Sequence, residues 1–179
     1  LEGCSCMWEG EELGQTDTEV ALDELTDPQG IALWSDPVGR DNTRTPMVWD
    51  ASPNGGFTTG TPWLPVKPEQ AARHVAGQLG RAGSVLEHCR AMLAFRRTEP
   101  ALRLGRTRFL DLAEPVLGFT RGGEEGSVLC LFNLSAAEQT IQQTDALAVI
   151  GPSLGGRLDR GMVKLAPHAA VFLRVGDPS

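Results

Sequence analysis

Between residues 28 and 68 the chain carries Pro28, Pro37, Pro46, Pro53, Pro62, Pro65 and Pro68. Each proline lacks a backbone donor and fixes its own φ, so this density forbids any long helix or strand there. The centre of the stretch, GRDNTRTPMVWDASPNGGFTTGTPWLP at 39–65, is polar and has no hydrophobic period, yet it holds Trp49, Phe57 and Trp63. A connection of that length inside a compact domain either lines a site or is disordered, and disordered chain is poor in aromatics. The segment is therefore expected to be an ordered loop at a site. Arg40, Asp41, Arg44 and the tryptophans offer the forked donors, carboxylate and flat apolar faces that suit a sugar or an acidic ligand.

The flanking chain is more regular. Residues 1–14 read as a short strand running into the glycine and carboxylate turn of CSCMWEGEELG, and short helical or turn pieces are expected near 20–25 and 68–76. In SVLEHCRAMLAFRRTEP, Ser84 and Glu87 have the spacing of a capping box. Leu86, Cys89 and Leu93 share one face, and Pro100 stops the run. That predicts an amphipathic helix over 84–99. From Thr107 the period becomes that of strands: TRFLDLA, VLGFTR and SVLCLFN, then weaker runs at 138–142, 147–151, 161–165 and 169–175. The unbroken apolar run 128–132 predicts a central strand covered on both faces, and the set as a whole an antiparallel sandwich.

Charge and reactive residues narrow the functions. With 179 residues and a formal net charge of -7, the chain has no overall attraction for phosphate backbones, so no nucleic-acid partner is expected. Its basic stretch, Arg96 and Arg97 to Arg108, coincides with a helix end, where positive side chains suit the dipole. No apolar run approaches the roughly 18 residues that cross a bilayer, so the visible chain reads as soluble, with no membrane partner. It begins at Leu1 rather than Met, and a missing N-terminal portion is expected. Cys4, Cys6, Cys89 and Cys130 are scattered, without the spacing of a disulfide framework or a zinc pair. His74, His88 and His168 lack companions at ligand spacing. No metal and no cofactor is expected.

Glu9, Glu11 and Glu12 crowd the end of the first predicted strand. A retaining glycosidase needs two carboxylates about 5 Å apart across one bond, whereas adjacent strand residues point to opposite faces. Structural pairing or support of a substrate is the expected use of all three.

Taken in order, WEGEELG, GRDNTRTPMVWDASPNGGF, PWLPV and SVLEHCRAMLAFRRTEPALRLG, with LAPHAAVFL at the end, resemble the C-terminal third of bacterial α-glucosidases. These are the oligo-1,6-glucosidase-like members of glycoside hydrolase family 13, the α-amylase family. The resemblance implies α/β plus all-β architecture. Residues 1–104 would supply the last strand, long loop and last helix of a (β/α)₈ TIM barrel, and 105–179 a C-terminal antiparallel β-sandwich domain. The long loop would then lie at the barrel face where such enzymes place their sites.

The resemblance further implies a retaining mechanism acting on terminal α-linked glucose of oligosaccharides or sucrose, in a bacterial cytoplasm. The family's catalytic aspartates and glutamic acid precede the portion seen here, so no catalytic residue is assigned and the isolated chain is expected to be inactive. By the same resemblance Arg40 reaches the sugar, Asp41 orients it and Arg44 braces the loop. From the residues alone, these three serve equally as a loop-fixing ion-pair cluster. Trp34, Trp49 and Trp63 can stack on sugars or pin the loop to the barrel. Trp8 and Glu9 depart from the family's usual tyrosine and amide, and Val48 from its usual residue before the tryptophan, which bears on substrate preference.

Other classes are a non-catalytic carbohydrate-binding or structural β module and a sucrose- or trehalose-converting transglycosylase. The β region has no tryptophan, which speaks against the module. For a barrel piece, the remainder of the barrel is a required partner, and the first strand should lack sheet neighbours.

Overall fold

A computed structural model describes residues 2–34, 39–123, 126–143 and 145–176. The chain divides into two compact units, one of Cys6–Arg90 and one of Leu1–Ser5 with Ala91–Ser179.

The first unit is made of turns and short helices, as its prolines require. Helices α1 (Pro28–Ala32), α2 (Pro68–Ala71) and α3 (Val75–Gln78) each span about one turn, and α4 (Val85–Thr98) begins here. Pro28 and Pro68 occupy first-turn positions, where a missing amide donor costs nothing. Leu13, Met47 and Val48 form the core, with Val66, Val75 and Leu86 packed against it. Residues 11–13 make a 3₁₀ turn between Gly10 and Gly14, both left-handed. Residues 2–8, expected as a strand, have no ladder partner among the described residues. A strand exists only through its neighbours' hydrogen bonds, and none is supplied here.

Helix α4 starts and stops where the sequence indicates, with one difference at its cap. Ser84 Oγ accepts the Glu87 amide at 3.3 Å, but Glu87 does not reciprocate: its Oε1 accepts the Gly80 amide and pairs with Arg90, both at 2.9 Å. The Ser84 amide is already taken by the Arg81 carbonyl at 3.1 Å. Val85 and Leu93 stand exposed on the helix. After Pro100 a second short helix, α5 (Pro100–Leu104), packs on the sheet.

The second unit is an antiparallel sheet of six strands: β1 (Arg106–Phe109), β2 (Val116–Gly123), β3 (Gly126–Asn133), β4 (Gln139–Gln142), β5 (Ala146–Asp159) and β6 (Met162–Val175). The order is β1-β2-β3-β6-β4, with β5 along β6. The runs expected separately at 161–165 and 169–175 are one strand. Its partner β5 extends from the 147–151 run to Asp159, and register shifts between Ile150 and Gly156 absorb the glycines that read as breaks. The charged tip of the β2–β3 hairpin lies outside the described residues.

Strand β3 is central, as its apolar run predicts. Leu129 and Leu131 join Val163, Leu165, Val171 and Leu173 in one core. Val128 and Cys130 face the other way, onto Phe119, Phe172 and α5 residues Ala101 and Leu102. Burial pushes the Cys130 thiol up to about 12, so it serves as a small apolar side chain. On this second face Arg121 is 1% exposed and donates through Nε and Nη2 to the Gly105 carbonyl at 3.2 and 2.7 Å. Arg174 and Glu99 make a two-bond ion pair at 3.0 and 2.6 Å. None of the described helices is long and apolar enough to cross a membrane.

Candidate functional site

The proline-rich loop is held from beneath. Met47 and Val48 are buried, the Val48 carbonyl accepts the Val75 amide at 3.0 Å, and the Trp49 carbonyl accepts the Ala76 amide at 2.9 Å. The chain then reverses at residues 52–56, where the Gly55 carbonyl accepts the Trp49 amide at 2.7 Å and the Asp50 carboxylate takes the Ser52 amide at 2.8 Å. Asn54 and Gly55 are both left-handed, with φ of 57° and 64°. A Cβ on Gly55 would lie 2.7 Å from Val48 Cγ1 and 3.1 Å from its Cα. Gly55→Ala therefore combines a positive-φ penalty with overpacking, and is expected to destabilise this unit by about 2–4 kcal/mol. Trp8, Trp34, Trp49 and Trp63 all lie within it, so a urea melt followed by tryptophan fluorescence reads the effect. A loss below about 0.5 kcal/mol would contradict the close packing.

Two aspartates clasp the start of the loop. Asp41 is 2% exposed, and its Oδ2 accepts the amides of Thr26 at 2.6 Å and Asp27 at 2.7 Å, with the Thr26 hydroxyl at 3.2 Å. Asp27 returns the arrangement: its Oδ2 accepts the Arg40 amide at 3.1 Å, while its Oδ1 caps α1 through the Gln29 amide at 3.1 Å. Gly30 and Gly39 allow the two backbones to meet, since a Cβ on Gly30 would sit 3.3 Å from the Gly39 Cα. Arg40 Nε stands 3.7 Å from Asp27 Oδ2, and the Arg40 side chain is 63% exposed. Among the described residues, Asp41 thus bonds to Thr26 and Asp27 and makes no bond to the Arg40 guanidinium. Arg44 is exposed, beside a turn whose Thr43 carbonyl accepts Trp8 Nε1 at 3.0 Å.

Asp27 is the residue that sequence reasoning missed. Asp-Pro at 27–28 is a visible helix-start signal. Its link to Arg40, thirteen positions away, has no periodic signature.

Hydrogen bonds hold the carboxyls of Asp27 and of Glu24, which pairs with Lys67, below their ordinary values. The Arg40 amide and then the Gln29 amide lower Asp27 from 3.8, and the Lys67 ammonium, at 2.6 Å, lowers Glu24 from 4.5. A carboxyl whose folded pKa is depressed stabilises the fold above its unfolded pKa, and that contribution is lost as pH falls through the folded value. The thermal midpoint of this unit, followed by tryptophan fluorescence, is expected to be level from about pH 7 to about pH 5.5 and to fall below about pH 4. A midpoint unchanged down to about pH 3 would contradict this assignment.

Around the clasp lie two open recesses. One, of about 460 Å³, is lined by Trp8, Glu9, Glu11, Gln15, Asn42 and Met47 among others. Glu12 serves the turn instead, accepting the Gly10 amide at 3.0 Å. The other, of about 760 Å³, has Trp34, Val20, Asn42, Asp41 and Lys67 in its wall. Trp34, Trp49 and Trp63 are each at least half exposed, Trp63 most at 69%. Among the described residues no group of three or more His, Cys, Asp or Glu could hold a metal ion. The arrangement offers an exposed guanidinium, anchored at its backbone amide, and exposed aromatic side chains on the same unit.

Comparison with known proteins gives the context for this loop. Residues 1–105 match the family model described as alpha amylase, catalytic domain. The chain is 40% identical over 177 residues to a probable alpha-glucosidase of Rhizobium meliloti (strain 1021), covering 98% of this chain and 32% of that protein. It is 31% identical over 164 residues to an oligo-1,6-glucosidase of Heyndrickxia coagulans, covering 81% and 30%. Among solved structures, the alpha-glucosyl transfer enzyme XgtA superposes with a TM-score of 0.85 at 43% identity, covering 96% of this chain and 32% of that one. An isomaltulose synthase from Erwinia rhapontici NX5, in complex with D-glucose, gives 0.77 at 26% identity, covering 94% and 34%. The chain spans about a third of the length of the relatives it matches.

Proposed function

Because the chain belongs to the α-amylase family of glycoside hydrolases, we propose that it is the C-terminal third of a bacterial, cytoplasmic, retaining α-glucosidase that releases terminal α-linked glucose from oligosaccharides or sucrose. In this reading residues 1–104 end the (β/α)₈ barrel and 105–179 form the β domain. The observation that carries it is the loop start: a segment resembling the family's, in which the Arg40 amide is tied to Asp27 by a partly buried hydrogen bond while its guanidinium stays open to solvent.

The chemistry divides accordingly. One carboxylate attacks the anomeric carbon and another carboxylic acid protonates the leaving oxygen; both are assigned to chain that precedes these residues. Arg40 supplies fixed donors to sugar hydroxyls or to the nucleophile's carboxylate. Asp41 holds the loop start, and Arg44 stands at its rim. The remainder of the barrel covers the unpaired segment 2–8 and the exposed Val85 and Leu93 of α4.

The test is expression of the complete coding sequence beside the 179-residue chain alone. Hydrolysis of p-nitrophenyl α-glucoside with release of α-glucose is expected from the first and no turnover from the second. Turnover by the isolated chain, or no α-glucosidase activity in the complete protein, would overturn the reading. Similarity to XgtA at 43% identity favours glucosyl transfer as the second reading, and transfer products at high sugar concentration would identify it.

A further inference from the structure

We propose that Asp27 is the positioning residue for Arg40, setting the direction in which its guanidinium meets the sugar. This rests on the reading of Arg40 as a substrate contact. Three observations carry it. The Asp27 side chain is only 7% exposed, so its carboxylate is a fixed object rather than a mobile surface charge. That carboxylate grips Arg40 at two levels, accepting the backbone amide at 3.1 Å and facing Nε at 3.7 Å. Its own amide is held in turn by the buried Asp41 carboxylate at 2.7 Å, so residues 26–27 and 40–41 lock each other.

The consequence follows from the shape of a guanidinium. Asp27 faces the Nε edge of the planar fork, which leaves the two terminal nitrogens on the far side as donors for a ligand. A long side chain anchored only at its backbone would sample several rotamers, each wrong one costing productive geometry. The exposed ion pair contributes little stability by itself. Its value is directional.

The experiment uses the complete enzyme with D27N, R40A and the double variant, together with phenylglyoxal modification of Arg40 followed by peptide mass spectrometry. D27N keeps a side-chain oxygen for one of the two amides and removes the charge from the guanidinium. It is expected to lower kcat/KM about tenfold, chiefly through kcat, as loss of orientation of a transition-state donor does. In the R40A background the same change should alter kcat/KM less than about twofold, because residues acting through one group are not additive. Arg40 should also be modified severalfold faster in D27N than in wild type. Effects of D27N and R40A that multiply, or an unchanged modification rate, would overturn the proposal. Should R40A by itself leave kinetics unchanged, the substrate-contact reading fails, and the modification rate still decides whether Asp27 holds Arg40.

Discussion

Arg121→Ala is expected to destabilise the β unit by about 3–5 kcal/mol, the largest loss of stability from any single change considered for this chain. The side chain is among the most buried in the protein, and it donates twice to the carbonyl of Gly105, at the C-terminal end of α5. That carbonyl is one of the acceptors a helix end leaves unpaired, where a cation is also favoured by the helix dipole. Truncation removes both donors, leaves the carbonyl without them away from water, and opens a void in the face that α5 covers. Arg121→Met separates the two costs. It keeps most of the volume and loses the hydrogen bonds, so about 1–3 kcal/mol is expected. Because no tryptophan lies in this unit, far-UV circular dichroism should follow its unfolding while tryptophan fluorescence follows the other. A loss below about 1 kcal/mol for the alanine variant would show that the buried arginine is replaceable, as some buried ionic groups are.

What the sequence made legible follows from which forces leave a pattern. Strand β3 was readable because both its faces are buried, which forces an unbroken apolar run over 128–132. Helix α4 was readable from Ser84 and Pro100, two local chemical stops. Strands β5 and β6 are short in the sequence reading because glycines at 151, 155 and 156 and Pro167 break strands in isolation, whereas register shifts in β5 absorb the glycines and Pro167 falls between the paired stretches of β6. The unpaired segment 2–8 shows the opposite limit, since a strand is a property of its neighbours. The site divides in the same way. Ordered motif blocks carried the family and pointed to Arg40, Asp41 and Arg44. The partner that grips Arg40 was invisible: a carboxylate meeting an amide across thirteen residues is a single contact with no period, and only folding brings Asp27 to it.

Arg40→Ala in the complete enzyme should lower kcat/KM by about 10²–10³-fold, the range seen when one preorganised donor to a transition state is removed. The thermal midpoint should hardly move, for the guanidinium is 63% exposed and its ion pair with Asp27 spans 3.7 Å, the kind of surface pair that adds little to stability. This asymmetry between activity and stability separates a ligand contact from a loop-fixing cluster. In the cluster alternative, activity would fall only as far as the loop loosens, so Gly55→Ala and Arg40→Ala would damage stability and turnover in the same proportion. Arg40→Lys should recover part of the loss, since it restores charge without the planar fork. Arg44→Ala should cost less than about threefold, as an exposed residue at the rim, with no ion pair among the described residues. An Arg40→Ala enzyme with normal kinetics and normal stability would remove the arginine's claim on the substrate, leaving 39–65 as a wall held in place by the Asp27 and Asp41 clasp and by the buried Met47 and Val48.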